Sequence, residues 1–232
     1  MGMENINVYF RQTKNKIMLL KGLAIALFTW VSISVNAQDW STVNYEYGKL
    51  YKGYIINNEG DRLDGFIKYR NRWAMQNEVS FYKVNNLESK KTKYLTANIS
   101  EYKVGDKIYH VIPYSGKAGI LHKANLVIDA EGCIKEYVWY DRASSYNKLR
   151  KRPGETDEDF GARKFPSTKV FYKSTDEMGV TKAFFKNDFK KKMSSYTASN
   201  KELSKKIKKA TAGYSKVQDI NKIFKEYNEE CK

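Results

Sequence analysis

The chain has 232 residues, 42 of them Lys or Arg against 26 Asp or Glu, for a net charge of +16. Eighteen tyrosines, 41% hydrophobic residues and only three prolines exclude a disordered polyelectrolyte and describe a folded, β-rich chain. The basic residues are spread along the sequence and mixed with acids, so the charge alone marks out no polyanion-binding segment.

At the N-terminus, Lys14, Lys16 and Lys21 precede an uncharged apolar run from Gly22 to Ser34. Val35-Asn36-Ala37 then sets small or β-branched residues at −3 and −1 of a cleavage point before Gln38. That is the layout of a secretory signal peptide. The run falls short of the roughly 20 apolar residues of a permanent span, and no cysteine follows it to carry a lipid anchor. Met18 would serve equally as the start, with Lys21 as its basic residue. Residues 1–37 are expected to be removed, and no transmembrane span is expected in the mature chain. This leader holds four basic residues and one acid, which leaves +13 on the remainder. On an exported chain that charge suits lipopolysaccharide, anionic lipid, acidic polysaccharide or plain solubility, and export disfavours nucleic acid.

Residues 38–180 read as an antiparallel β domain. Tyr51 to Ile56 and Leu63 to Tyr69 flank Asn57-Asn58-Glu59-Gly60-Asp61, whose Asn and Gly readily take the left-handed conformations of a hairpin loop. Further β runs are Glu78–Lys83, Lys93–Ile99, Glu101–Val104, Lys107–Pro113, Gly119–Asp129, Cys133–Asp141 and Lys169–Lys173. Their spacing fits a meander, a barrel-like sheet or a sandwich. The absence of strand–helix–strand alternation argues against a doubly wound nucleotide fold. Arg142 to Pro166 reads as a long polar loop, expected to be the most protease-sensitive part of the mature chain.

Residues 181–232 change period from two to about 3.6, the signature of helices. Phe185, Phe189, Met193 and Tyr196 share one face. Ser199 to Glu202 and Ser215 to Gln218 fit capping boxes, with Gly213 as a stop between them. Leu203, Ile207 and Ala210, then Val217, Ile220, Phe224 and Tyr227, supply the apolar stripes. Strands first and two or three short helices last make an α+β chain.

No GxSxG elbow, phosphate loop, HExxH or paired CxxC occurs, so no catalytic residue and no cofactor is implied. A hairpin centred on Gly116 would set His110 across from His122, and continuing the meander would put Glu136 opposite Leu126 and Tyr140 opposite His122. Two imidazoles are too few for zinc, which wants a third protein ligand. Glu136 would sit about two residues too far along, so a hydrogen-bonded His–His–Tyr cluster is the expected arrangement. The acids Glu155 to Asp159 lack the spacing of a calcium loop. Tyr137-Val138-Trp139-Tyr140 could stack on sugars, but aromatic residues on strands mostly pack across strands. The lysines and tyrosines between Tyr82 and Tyr94 offer a nucleic-acid surface only to a chain that is not exported. Cys133 and Cys231, if paired, would tie the C-terminus to the sheet and stabilise by about 4–5 kcal/mol through loop entropy; spacing alone leaves the pairing open.

The hairpin Gly53-Tyr54-Ile55-Ile56 … Gly60-Asp61 … Gly65-Phe66-Ile67, with the ending Tyr227-Asn228 … Cys231, resembles uncharacterised exported proteins of Bacteroidetes-type bacteria. The resemblance covers the two ends of the mature chain and the middle only loosely. It implies an exported β-rich protein closed by short helices, with no established activity. In that family a second cysteine often lies near the first helix, where this chain reads Ser194-Ser195-Tyr196-Thr197. The expectation is thus an exported, non-enzymatic envelope protein, periplasmic, outer-membrane-associated or extracellular, whose partner is a protein, a glycan or an anionic lipid. A hydrolase or metal-dependent enzyme acting on envelope or extracellular polymers is the alternative.

Overall fold

The structure, a computed structural model, describes residues 42, 44–114 and 121–231, with the backbone alone at 121–124 and 129. The predicted leader and His122's side chain lie outside these residues. Ten strands form one antiparallel sheet: β1 (Leu50–Asn57), β2 (Arg62–Lys68), β3 (Glu78–Tyr82), β4 (Lys91–Leu95), β5 (Ile99–Val104), β6 (Lys107–Tyr114), β7 (Leu121–Asp129), β8 (Ile134–Tyr140), β9 (Ser167–Lys173) and β10 (Val180–Thr181). Their spatial order is β10-β9-β8-β7-β6-β5-β1-β2-β3-β4. Two meanders are therefore joined through the β1–β5 pairing. The fold is α+β, as the sequence implies.

Side-chain alternation shows that this sheet bends two ways. Ile55, Ile67, Val79, Phe81, Tyr102, Tyr109, Leu126, Val138 and Tyr140, from seven strands, share one buried cluster with Met75 and Phe165. Met75 belongs to α1 (Arg72–Met75), whose neighbour Gln76 bonds the backbone of Tyr140 on β8. In a flat sheet β3 and β8 would stand about 29 Å apart, six strand spacings. The sheet is thus rolled around this cluster. The opposite face of β6–β9 buries Ile112, Tyr114, Val127, Tyr137, Trp139 and Val170. There the N–H of Gly179 donates to Pro113 O at 2.7 Å and Gly179 bridges Tyr114, although four strand spacings would separate β6 from β10 in a flat sheet. This second, smaller roll curls the other way, and β8 is buried on both faces.

The segment 142–166 is more than a polar loop. It holds α2 (Asp157–Lys164), capped by the Thr156 hydroxyl on Asp159 N. Arg163 pairs with Glu155, and Glu158 reaches the buried Arg72 at the end of the first roll. Phe165 enters the first core. Residues 142–156 remain irregular and mostly exposed, as expected of a loop, whereas Asp157–Lys164 form a helix pinned to the core at Phe165.

After β10 come α3 (Lys182–Lys186), α4 (Phe189–Tyr196), α5 (Lys201–Lys208) and α6 (Ile220–Glu230). Phe185, Phe189, Met193, Leu203, Ile207, Ile220, Ile223, Phe224 and Tyr227 pack with Ile134 and Phe171 of the sheet. The apolar stripes are where the periodicity puts them. The caps differ by one residue: Asn200, rather than Ser199, accepts from Leu203 N, and Asp219 accepts from Ser215 N and Lys216 N. Helix α5 ends at Lys208, and Ala210 beyond its cap turns to φ +53, ahead of the predicted stop at Gly213.

Candidate functional site

The sequence Gly132-Cys133-Ile134 at the start of β8 meets Asn228 and Cys231 at the end of α6. The pairing of β7 with β8 stops at Asp129↔Glu136, which leaves Ile134 without a β7 neighbour. Asn228 fills the gap: its Nδ2 donates to Ile134 O at 2.8 Å and its Oδ1 accepts from Ile134 N at 2.9 Å. A carboxamide carries a donor and an acceptor, as a peptide group does, so it can stand in for a strand. Cys133 and Cys231 are bridged, with Cα atoms 6.1 Å apart. Gly132 sits at φ +76, and a Cβ there would lie 2.4 Å from Asn228 Cγ, so both backbone conformation and space require glycine. The Tyr227 hydroxyl meets Ser199 Oγ. Each named residue of the closing Tyr-Asn-x-x-Cys motif thus fastens the helical segment. The pairing left open by the sequence is formed, with Cys133 as the partner of Cys231.

Along this latch runs a cleft of about 480 Å³, lined by Glu131, Glu136, Asn221, Phe224, Lys225 and Glu229 among others. Glu136 is already paired with Lys169 Nζ at 2.6 Å.

The strand register corrects the histidine expectation. His110 pairs with Asn125, and His122 pairs with Pro113. The register is offset by three positions from the one that a hairpin centred on Gly116 would give. Glu136 lies opposite Asp129 rather than Leu126, and the β7–β8 pairing does not extend to Tyr140. His110 instead closes a relay across the sheet. Its Nε2 lies 3.3 Å from Glu101 Oε2, and its Nδ1 lies 3.1 Å from the Tyr137 hydroxyl. Tyr54 donates to the other Glu101 oxygen at 2.6 Å, with the Arg62 guanidinium 3.8 Å above the Tyr54 ring. The His110 hydrogen bond, aided by Tyr54 and Arg62, holds the Glu101 carboxyl below the usual carboxylate range against the opposing pull of partial burial. Burial, with the Glu101 hydrogen bond, pushes Tyr54 up to about 12. Burial likewise raises Tyr137, so it remains a phenol. Both ring nitrogens of His110 thus have partners within the protein.

The other candidate groups are also committed internally. Glu155 bonds Arg163 and the Arg152 amide, which hold it down to about 2. Asp157 bonds Lys151, Glu158 bonds Arg72, and Asp159 accepts from Thr156. Tyr137 and Trp139 pack into one roll, Val138 and Tyr140 into the other, so this strand is core rather than a sugar platform. Among the described residues no three His, Cys, Asp or Glu are grouped as a metal site would need, and no helix is long and apolar enough to cross a membrane. Glu101, Gln76 and Asn228 went unnoticed as site residues in the sequence, because none stands in a motif of its own apart from the closing Tyr-Asn-x-x-Cys. Comparison with known protein families, with curated proteins and with solved structures finds no match for this chain.

Proposed function

We propose that this is an exported envelope protein with a binding or structural role, not an enzyme, in keeping with its resemblance to exported proteins of Bacteroidetes-type bacteria. The observation that carries the reading is the Cys133–Cys231 bridge, a bond that forms and persists in oxidising compartments such as the periplasm and is rare in the cytosol. The basic, apolar and small-residue regions of 1–37 supply the matching address. The non-enzymatic part rests on His110, whose two nitrogens are both occupied, and on the internally paired acids of 155–159. Envelope fractionation followed by intact-mass measurement tests it. The expected product begins at Gln38, resists thiol alkylation until reduced, and is found outside the cytosol. A cytosolic chain retaining its leader, with two alkylatable thiols, would refute the reading.

A further inference from the structure

Basic residues occur all along the sequence, but their excess over acids is greatest in the helical segment. Residues 181–232 hold 14 lysines, six acids and no arginine. Lys182, Lys186, Lys190 and Lys191 are exposed, and among the described residues no carboxylate lies within 4.0 Å of their ammonium groups. Lys182 and Lys186 lie two positions from Phe184 and so on the other side of α3; Phe184 itself is 45% exposed, one of the few large apolar side chains left open to water. It lines a cleft of about 430 Å³ with Lys173, Asp176, Asp188, Lys191 and Tyr196, and so shares a surface with Lys191.

The corner that presents Phe184 is held rigidly. Asp188, between α3 and α4, sits at φ +62, in the left-handed region that Asp tolerates better than most non-glycine residues and that turns the chain sharply. Lys192 Nζ donates to Phe184 O at 2.7 Å, and its ammonium stands 4.8 Å from the Phe184 ring. Phe185, edge-on to Phe184 at 4.9 Å, is anchored in the helical core. An apolar group displayed on a fixed backbone has little ordering cost left to meet on binding.

We propose that this α3–α4 corner docks on an anionic membrane surface, with Phe184 entering the headgroup–acyl boundary and the flanking lysines facing lipid phosphates. Charge complementarity selects the partner, and the exposed ring selects a bilayer over a purely polar polyanion. The exclusive use of lysine fits as well: its compact charge suits a diffuse anionic surface, whereas fixed phosphate recognition favours the planar fork of arginine. The proposal rests on the envelope reading for where the membrane is met. The binding itself is independent of it, since the mass of the N-terminus reports export separately.

The test is co-sedimentation of the protein, as cells produce it, with phosphatidylglycerol-containing vesicles and with pure phosphatidylcholine vesicles. Wild type and variants share one N-terminus, so a retained leader contributes equally to all. The expected result is preference for anionic vesicles that falls steeply with salt. Lys191→Glu with Lys192→Glu, both on the Phe184 cleft, should lower partitioning by more than about 25-fold, about fivefold for each lysine charge lost and more for the two negative charges added. Phe184→Ala should lower it several-fold at unchanged melting temperature. Lys90→Glu with Lys91→Glu, beside the far edge of the sheet, makes the same change in net charge and should have little effect. Equal binding to both vesicle types would overturn the proposal, as would equal losses in the two charge pairs. Tighter binding to DNA or heparin that ignores Phe184→Ala would also overturn it.

Discussion

The two ends of β8 are closed by the same chemical device in two different settings. At Tyr140, Gln76 donates to the backbone O at 2.7 Å and accepts from the N–H at 2.6 Å; at Ile134, Asn228 makes the same pair of bonds. Gln76 is fully buried beneath a core drawn from seven strands. Asn228 is only partly buried, on an 11-residue helix, in a segment whose other α-helices have five to eight residues. Helices of that length are marginal on their own, because nucleation costs more than so few bonds return. The large core closes without a covalent bond, and the small helical one is fastened by a disulfide. A carboxamide mimic suffices where burial keeps water out and needs reinforcement where water competes.

Removing the reinforcement should have the largest effect. Cys231→Ser opens a bridge spanning 98 residues and should cost about 4 kcal/mol, measured by urea unfolding against the reduced wild type as control. Gln76→Ala comes next: it leaves the buried N–H and C=O of Tyr140 without these partners and should cost about 3 kcal/mol. Asn228→Ala makes the same deletion where water can substitute, and should cost only about 1–2 kcal/mol. Equal losses for the two carboxamides would break the comparison. Tyr109→Phe probes the first core from the other side. Its hydroxyl is buried with no hydrogen-bond partner among the described residues, over a ring stacked on Tyr102 at 4.5 Å. The substitution should stabilise by about 1 kcal/mol, seen as a raised melting temperature.

The smallest expected effect is that of pH. Glu101 is held below its ordinary value of 4.5, so the native state favours its charged form. Its contribution is complete above that value and fades as pH falls below 4.5 toward the depressed native pKa. Glu101→Gln should therefore narrow its stability gap to wild type on acidification from pH 6 to 3. The gap is modest because the group is partly exposed and screened by solvent.

What the sequence made legible was local. The β1–β2 hairpin was readable from Asn57 to Asp61, where Asn57 Oδ1 indeed accepts from Asp61 N. The helical stripes were readable because 3.6-residue periodicity survives whatever the helices pack on. The two rolls were not, since they depend on pairings such as β1 with β5 and Gln76 with Tyr140, 64 residues apart, which no local pattern encodes. The His110 relay was misplaced through its register: an offset of three positions between β6 and β7 gives His110 a different partner, and the alternation within each strand does not fix that offset. Helix α2 did carry a signal, Thr156 followed by Asp159, but its acids read as solvated loop until Arg72 and Arg163 came into place around them.

Hydrogen exchange on the native and the disulfide-reduced protein tests the division between the two regions most directly. The account predicts that reduction speeds amide exchange in α4, α5 and α6 while β1, β2 and β5–β7 keep their protection, because the rolled core does not depend on the bridge. Uniform loss of protection across sheet and helices, or none in either, would contradict it.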